Sequence, residues 1–190
     1  MKKLVLLTVL GLLNYLPGIA QQINFGAKAG LNLATLSEDY DPDVAARTSF
    51  HFGAMAEIPI SEMFSIQPEL LYSSQGATDD GDDDEEVRLN YITLPVLAKY
   101  YVFDGLSIEG GPQLGLLLLG EIEDNGETTD VKDISKSTDF GLAFGLGYKM
   151  ETGLNFGVRY YFGSDINDIA ESSDKIKNKV FQISVGYFFN

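Results

Sequence analysis

Polar and apolar residues alternate one by one through most of this chain, in runs of about ten to fourteen residues. The clearest case is Asp139 to Phe162. Phe140, Leu142, Phe144, Leu146 and Tyr148 share one face, against Asp139, Gly141, Ala143, Gly145, Gly147 and Lys149 on the other. Glu151-Thr152-Gly153 reverses the chain, and Leu154, Phe156, Val158, Tyr160 and Phe162 then oppose Asn155, Gly157, Arg159, Tyr161 and Gly163. A period of two marks a β-strand with two unlike faces, and the tight glycine-containing connection makes the pair a hairpin.

Six more runs repeat the pattern. In Gln22 to Thr35, Phe25, Ala27, Ala29, Leu31 and Leu33 oppose Asn24, Gly26, Lys28, Gly30 and Asn32. In Thr48 to Ile58, Phe50, Phe52, Ala54 and Ala56 oppose Ser49, His51, Gly53, Met55 and Glu57. In the run from Phe64, Ile66, Leu70 and Tyr72 oppose Ser65, Gln67, Glu69, Leu71 and Ser73, and Pro68 predicts a bulge or a local break in the ladder. Arg88 to Phe103 is harder to phase, because Leu94-Pro95-Val96-Leu97 is apolar on both faces. The assignment places Ile92, Leu94, Val96, Ala98 and Tyr100 on the apolar face, with Tyr91, Thr93 and Lys99 opposite. Asp104-Gly105 is a two-residue turn signal leading to Leu106–Leu119, where Ile108, Leu114, Leu116 and Leu118 oppose Ser107, Glu109, Gln113 and Gly115. Lys179 to Phe189 closes the series.

The count is eight strands, with connections alternating long and short. The long ones are acidic: Ser37 to Ala46, Ala77 to Val87, Gly120 to Ser137 and Ser164 to Asn178, all read as solvated loops. An even number of strands, short turns at one end and long loops at the other predict an all-β fold. Its form is an eight-stranded antiparallel up-and-down transmembrane β-barrel.

A soluble eight-stranded barrel would show the same alternation with its apolar row inward. The polar row argues against that inversion. By this phasing 11 of the 20 glycines lie on it, where glycine weakens a strand and gives water nothing. Small residues suit a crowded closed interior. Eight charges also lie on that row: Lys28, Lys99, Lys149 and Arg159 against Glu57, Glu69, Glu109 and Asp139. Four against four predicts a paired charge network in the lumen, since an unpaired buried charge is costly. On the apolar row, aromatics fall into two bands, as interfacial girdles would. Phe25, Phe64, Tyr100, Tyr148, Tyr187 and Phe189 lie toward the short turns; Phe50, Phe52, Tyr72, Phe140, Tyr160 and Phe162 lie toward the long loops.

The N-terminus changes the picture further. Lys2 and Lys3 precede an apolar Leu4 to Leu13 and then Pro17-Gly18-Ile19-Ala20, which reads as a signal peptide over 1–20 before a barrel domain over 21–190. Its removal would take the net charge from −15 to −17, a balance that argues against nucleic acid. There is no Cys, which excludes disulfides and thiolate metal sites.

Five segments together resemble the PorT-like outer-membrane β-barrel family: GAKAGLNLATL from Gly26, FSIQPELLYSSQGA from Phe64, YITLPVLAKYY from Tyr91, GGPQLGLLL from Gly110 and VGYFF from Val185. The resemblance implies an eight-stranded barrel inserted by the outer-membrane assembly machinery. Most members have no assigned activity; the namesake subgroup is linked to a secretion and gliding apparatus, and nothing in this chain singles out that subgroup.

Candidate chemistry is thin. Ser49 and His51, the only histidine, share the polar face, but no orienting acid or oxyanion site stands at a recognisable spacing. The acidic run Asp79 to Glu86 lacks the fixed alternation of a calcium loop. No cofactor motif is present and no cofactor is expected. Eight strands leave an interior just filled by side chains, so a plugged lumen is expected. The sequence thus points to a structural or interaction protein of the cell outer membrane with both termini periplasmic. Its expected partners are membrane lipid, lipopolysaccharide and the assembly machinery, with no nucleic acid and no protein partner identifiable. A narrow channel or secretion accessory stands as the alternative, and an enzyme on a barrel scaffold follows it.

Overall fold

The computed structural model describes residues 23–37, 44–79, 85–124, 127–132, 136–165 and 176–189. They form ten strands: β1 (Asn24–Ser37), β2 (Val44–Ala45), β3 (Arg47–Pro59), β4 (Phe64–Asp79), β5 (Glu85–Phe103), β6 (Leu106–Asp124), β7 (Glu127–Asp130), β8 (Thr138–Lys149), β9 (Leu154–Asp165) and β10 (Lys177–Phe189). The signal segment 1–20 lies outside the described residues, as does 80–84 within the acidic run. The eight long strands each pair antiparallel with their chain neighbours, and β1 closes on β10 from Phe25↔Phe189 to Ser37↔Lys177. Closure leaves no edge among them, which a lipid-embedded sheet requires because hydrocarbon offers a free N–H or C=O no partner. The two short strands extend the wall at one rim, β2 on β4 and β7 on β6.

The alternation sets inside and outside as expected. Phe25, Phe52, Phe144, Leu146 and Ile183 are each more than half exposed on the outer surface, while Asn32, Ser73, Lys99, Asp139 and Arg159 are buried inside. A continuous apolar exterior of this size is stable against hydrocarbon and not against water. The girdles are present too: Phe50, Phe52 and Tyr72 cluster with ring centroids 5.4–6.2 Å apart, and Tyr160 and Phe162 lie 4.5 Å apart. Tyr187 and Phe189 pair at the opposite end. β5 takes the phase expected of it, with Tyr91, Thr93, Leu97 and Lys99 buried and Val96 and Tyr100 exposed.

The three tight turns share one end of the barrel with the start of β1 and the end of β10. Gly105 (φ 78°) and Gly153 (φ 87°) occupy the left-handed region that side chains disfavour, which is why those turns carry glycine. Pro68 produces a break and no bulge: β3 and β4 pair at Met55↔Glu69 and again at Ile58↔Ile66 in the same register, with the gap where proline lacks an N–H. A bulge does occur in β6, between Leu117 and Leu119, and both Leu118 and Leu119 consequently face outward.

All four loop assignments need correction: Val44–Ala45 and Glu127–Asp130 are short strands inside two of them, and β9 and β10 run into a third as far as Asp165 and from Lys177. Ala77–Asp79, Glu85–Val87 and Gly120–Asp124 are strand, so β5 and β6 run 19 residues each. That exceeds the roughly 9–11 residues of a membrane-crossing strand, and the surplus projects past the long-loop rim. Acidity does not prevent pairing there, because two arginines are paired with Glu86 and Glu123 of the acidic set. Arg47 binds Glu86, and Arg88 Nη2 lies 2.6 Å from Glu123 and Arg88 Nε 3.1 Å from Glu86. Beneath them Leu89, Tyr91 and Leu117 are buried, with the half-buried Leu36, Val87 and Ile176 packed against them.

Candidate functional site

The lumen divides into three levels. In the half near the turns, Arg159 of β9 reaches across to two strands it does not adjoin. Its Nη1 lies 2.9 Å from Glu69 of β4 and its Nη2 2.8 Å from Glu109 of β6. Lys28 adds a contact to Glu69 at 3.4 Å, and Lys99 lies 3.9 Å from Glu109. Gln67 ties the group together, donating to Glu69 at 2.7 Å and accepting from Lys99 at 3.1 Å. All five charged groups are buried, so each depends on its partners in place of water. The glycines leave the room: a Cβ on Gly147 would sit 2.9 Å from Ser107 Oγ and 3.3 Å from Glu109 Oε2.

Closer to the turns lies a second pair. Lys149 Nζ contacts Glu57 Oε2 at 2.9 Å, while Ser65 Oγ donates to Oε1 at 3.1 Å and Tyr101 donates to the same oxygen. Lys149 also stands 4.8 Å over the Phe188 ring. This pair forms the floor of an open vestibule of about 610 Å³, whose mouth carries Ile60, Glu62, Met150 and Glu151 from two of the turns.

Seven of the eight charges named from sequence are thus in ion pairs. Asp139 stands apart at the level nearest the long loops. It accepts from Asn178 Nδ2 at 3.2 Å and from the Ser164 backbone N–H at 3.2 Å. Around it is a neutral network that the sequence reading did not assemble. Asn32 is its hub: its Oδ1 accepts from Gln182 at 2.9 Å and from His51 Nδ1 at 2.7 Å, and its Nδ2 donates to the Ser74 carbonyl at 2.7 Å. Asn178 also donates to Gln75. The signal that could have found this lies in the closing register, which sets Asn32 directly opposite Gln182.

Serine and histidine are not arranged for catalysis. Ser49 Oγ donates to the Ser74 carbonyl at 2.6 Å and not to His51. His51 Nε2, the nitrogen a nucleophile would use, is buried without a hydrogen-bond partner among the described residues. Among the described residues no three His, Cys, Asp or Glu converge as a metal site would require.

Comparison with known proteins fits this architecture. The sequence model described as outer membrane protein beta-barrel domain matches residues 19–171. No curated protein matches by sequence. Among solved structures, the crystal structure of Neisserial surface protein A superposes with a TM-score of 0.58 at 14% identity, covering 87% of this chain and 97% of the other. Ail, the attachment invasion locus protein of Yersinia pestis, gives a TM-score of 0.52 at 13% identity, covering 87% and 98%. At such identities the likeness is one of fold. The family match over most of the chain says more: this protein belongs to the outer membrane protein beta-barrel domain family and is an outer-membrane β-barrel.

Proposed function

We propose that the protein is a non-enzymatic barrel with a structural or interaction role and a plugged lumen. In this reading a signal peptide over 1–20 is removed, both termini are periplasmic, and the acidic loops face outward. Its surroundings would be outer-membrane lipid and lipopolysaccharide, reached by way of the assembly machinery. Within the family, the PorT-like resemblance is the finer assignment we favour.

The observation that carries the reading is the filling of the lumen. The Arg159–Glu69–Glu109 group spans the barrel at one level. Asn32, Gln75 and Asn178 are buried on its long-loop side, where Leu89, Tyr91 and Leu117 are buried as well. Moving an ion past buried, mutually satisfied charges would require breaking several contacts together. Purified protein in a planar lipid bilayer should show no stable unitary conductance at moderate voltage. Discrete, reproducible openings would sink the plugged-lumen reading in favour of a channel.

A further inference from the structure

The vestibule is the level of the lumen that opens to solvent, and its chemistry is not spent on its own residues. We infer that it receives a basic side chain, arginine or lysine flanked by apolar residues, presented by an extended segment of a periplasmic protein. The periplasmic part of this inference rests on the orientation proposed above.

Three carboxylates and one ammonium line the space, leaving it two negative charges in excess. Glu57 on the floor is occupied by Lys149, Ser65 and Tyr101. Glu62 and Glu151 at the mouth are exposed, and neither forms an ion pair among the described residues. Beside them Ile60 and Met150 are 44% and 40% exposed. Paired carboxylates next to open aliphatic surface match a side chain with an apolar stem and a cationic head, which only Lys and Arg possess. The volume, about 610 Å³, lies within the roughly 300–1,000 Å³ of ligand sites.

A bare cation is a poorer fit, since no group of three or more His, Cys, Asp or Glu converges here. A lipid ammonium is also a poorer fit. Glu57 and Lys149 lie on the lumen side of the wall, whereas a lipid is tethered outside it. A chain segment can enter along the barrel axis, and extended segments offer side chains singly at alternate positions.

The test uses the folded full-length protein in detergent micelles, with labelled methyl groups on Ile60 and Met150. The probe is acetyl-Ala-Leu-Arg-Leu-Ala-amide, with controls carrying Gln or Glu in place of Arg. The Arg peptide should shift both methyl signals saturably, and the Gln peptide should bind at least tenfold more weakly. The double change Glu62→Gln with Glu151→Gln should weaken the Arg peptide at least tenfold while the heat-modifiable gel mobility of the folded barrel is kept. Equal shifts from the Arg and Gln peptides, or no shift, would overturn the site. So would saturation of the same methyls by phosphatidylethanolamine nanodiscs, which would assign it to a lipid headgroup. Orientation is read separately. A Glu151→Cys protein, with no other thiol in the chain, should react with a membrane-impermeant maleimide only after the outer membrane is permeabilised. Labelling in intact cells would overturn the periplasmic partner even if the peptide binds.

Discussion

Between the turns and Leu97 the lumen is braced by charge; between Leu97 and the long-loop rim it is braced by amides, hydroxyls and aromatic packing. Both halves are filled with buried side chains, and both join strands that are not neighbours. They differ in how the distance is covered. In the charged half the wall keeps its place and long side chains span the gap, as Arg159 does to β4 and β6. In the neutral half the backbone moves in. Ser73, Ser74, Gln75, Gly76 and Ala77 of β4 are all buried, and Gly76 has φ 127°. No β3 partner is paired with Ser74 to Ala77; Asn32, Ser49 and Arg47 instead bind the carbonyls of Ser74 and Gln75. Short amides can then brace the lumen because the strand has come to meet them. Losing one long charged brace leaves opposite charges unpaired where they are buried, whereas losing one amide leaves dipoles unpaired. The two halves should therefore respond to substitution on different scales.

The largest effect belongs to Arg159→Met. It leaves Glu69 with the neutral Gln67 and a long contact to Lys28, and Glu109 with Lys99 at a longer one. Stripping one partner from a buried ionic group costs about 3–5 kcal/mol, which urea unfolding in lipid vesicles would read as a lowered midpoint. Combining it with Glu69→Leu should recover part of the loss, since replacing a whole buried pair by apolar groups is often near neutral. If the double variant is no better than Arg159→Met, the deficit is packing and the charged brace is not what distinguishes this half.

In the neutral half, Leu89→Ala comes next. Leu89 is buried against Tyr91 and Leu117, and truncation there should cost about 2–5 kcal/mol through lost contact and a residual cavity. Asn32→Ala should cost less, about 1–3 kcal/mol, because it removes neutral hydrogen bonds and takes from His51 Nδ1 and Gln182 Nε2 the oxygen they share. The comparison turns on this pair of outcomes. If Asn32→Ala unfolds the barrel as readily as Arg159→Met, the amide hub is as critical as the charge group and the distinction fails.

The same contrast governs what could be read from the chain alone. Strand number, phase and outward face follow from a period of two, which is local information, and even β5 was phased correctly although Leu94 to Leu97 is apolar throughout. The charges on the polar face were visible because Lys, Arg and Glu stand out against glycine. Their partners are not, since Arg159 of β9 and Glu69 of β4 lie on strands brought face to face by the closed barrel. Asp139 was grouped with them on its face alone, yet it lies at another level among Asn178 and the Ser164 N–H. The neutral brace was least visible because it depends on a displaced backbone at Gly76. The projecting ribbon reads as loop in the sequence because Glu86 and Glu123 look solvated until Arg47 and Arg88 are placed beside them.

That ribbon supplies the smallest effect and a third kind of brace, half-buried and charged. Partial burial alone would raise the Glu86 carboxyl. Hydrogen bonds from Arg88 and Arg47, with their charges, outweigh that and hold it below its ordinary 4.5. A carboxylate depressed in the folded state contributes its stabilisation above the unfolded value, and loses it as pH falls through the folded one. The ribbon should therefore be indifferent to pH between 7 and about 4.5 and should loosen below that range. Hydrogen exchange at the Val87 and Arg88 amides, corrected for intrinsic rates, would show the step, while amides in the barrel wall near Thr93 would not. Glu86→Gln should abolish the step and lower protection at neutral pH by a few-fold, a modest change because water screens the site. A step of the same size in Glu86→Gln would show that Glu86 is not the source of the pH response. The projecting ribbon would then be held by its backbone ladder, as the neutral half of the lumen is held by its amides, and charge would brace only the half nearest the turns.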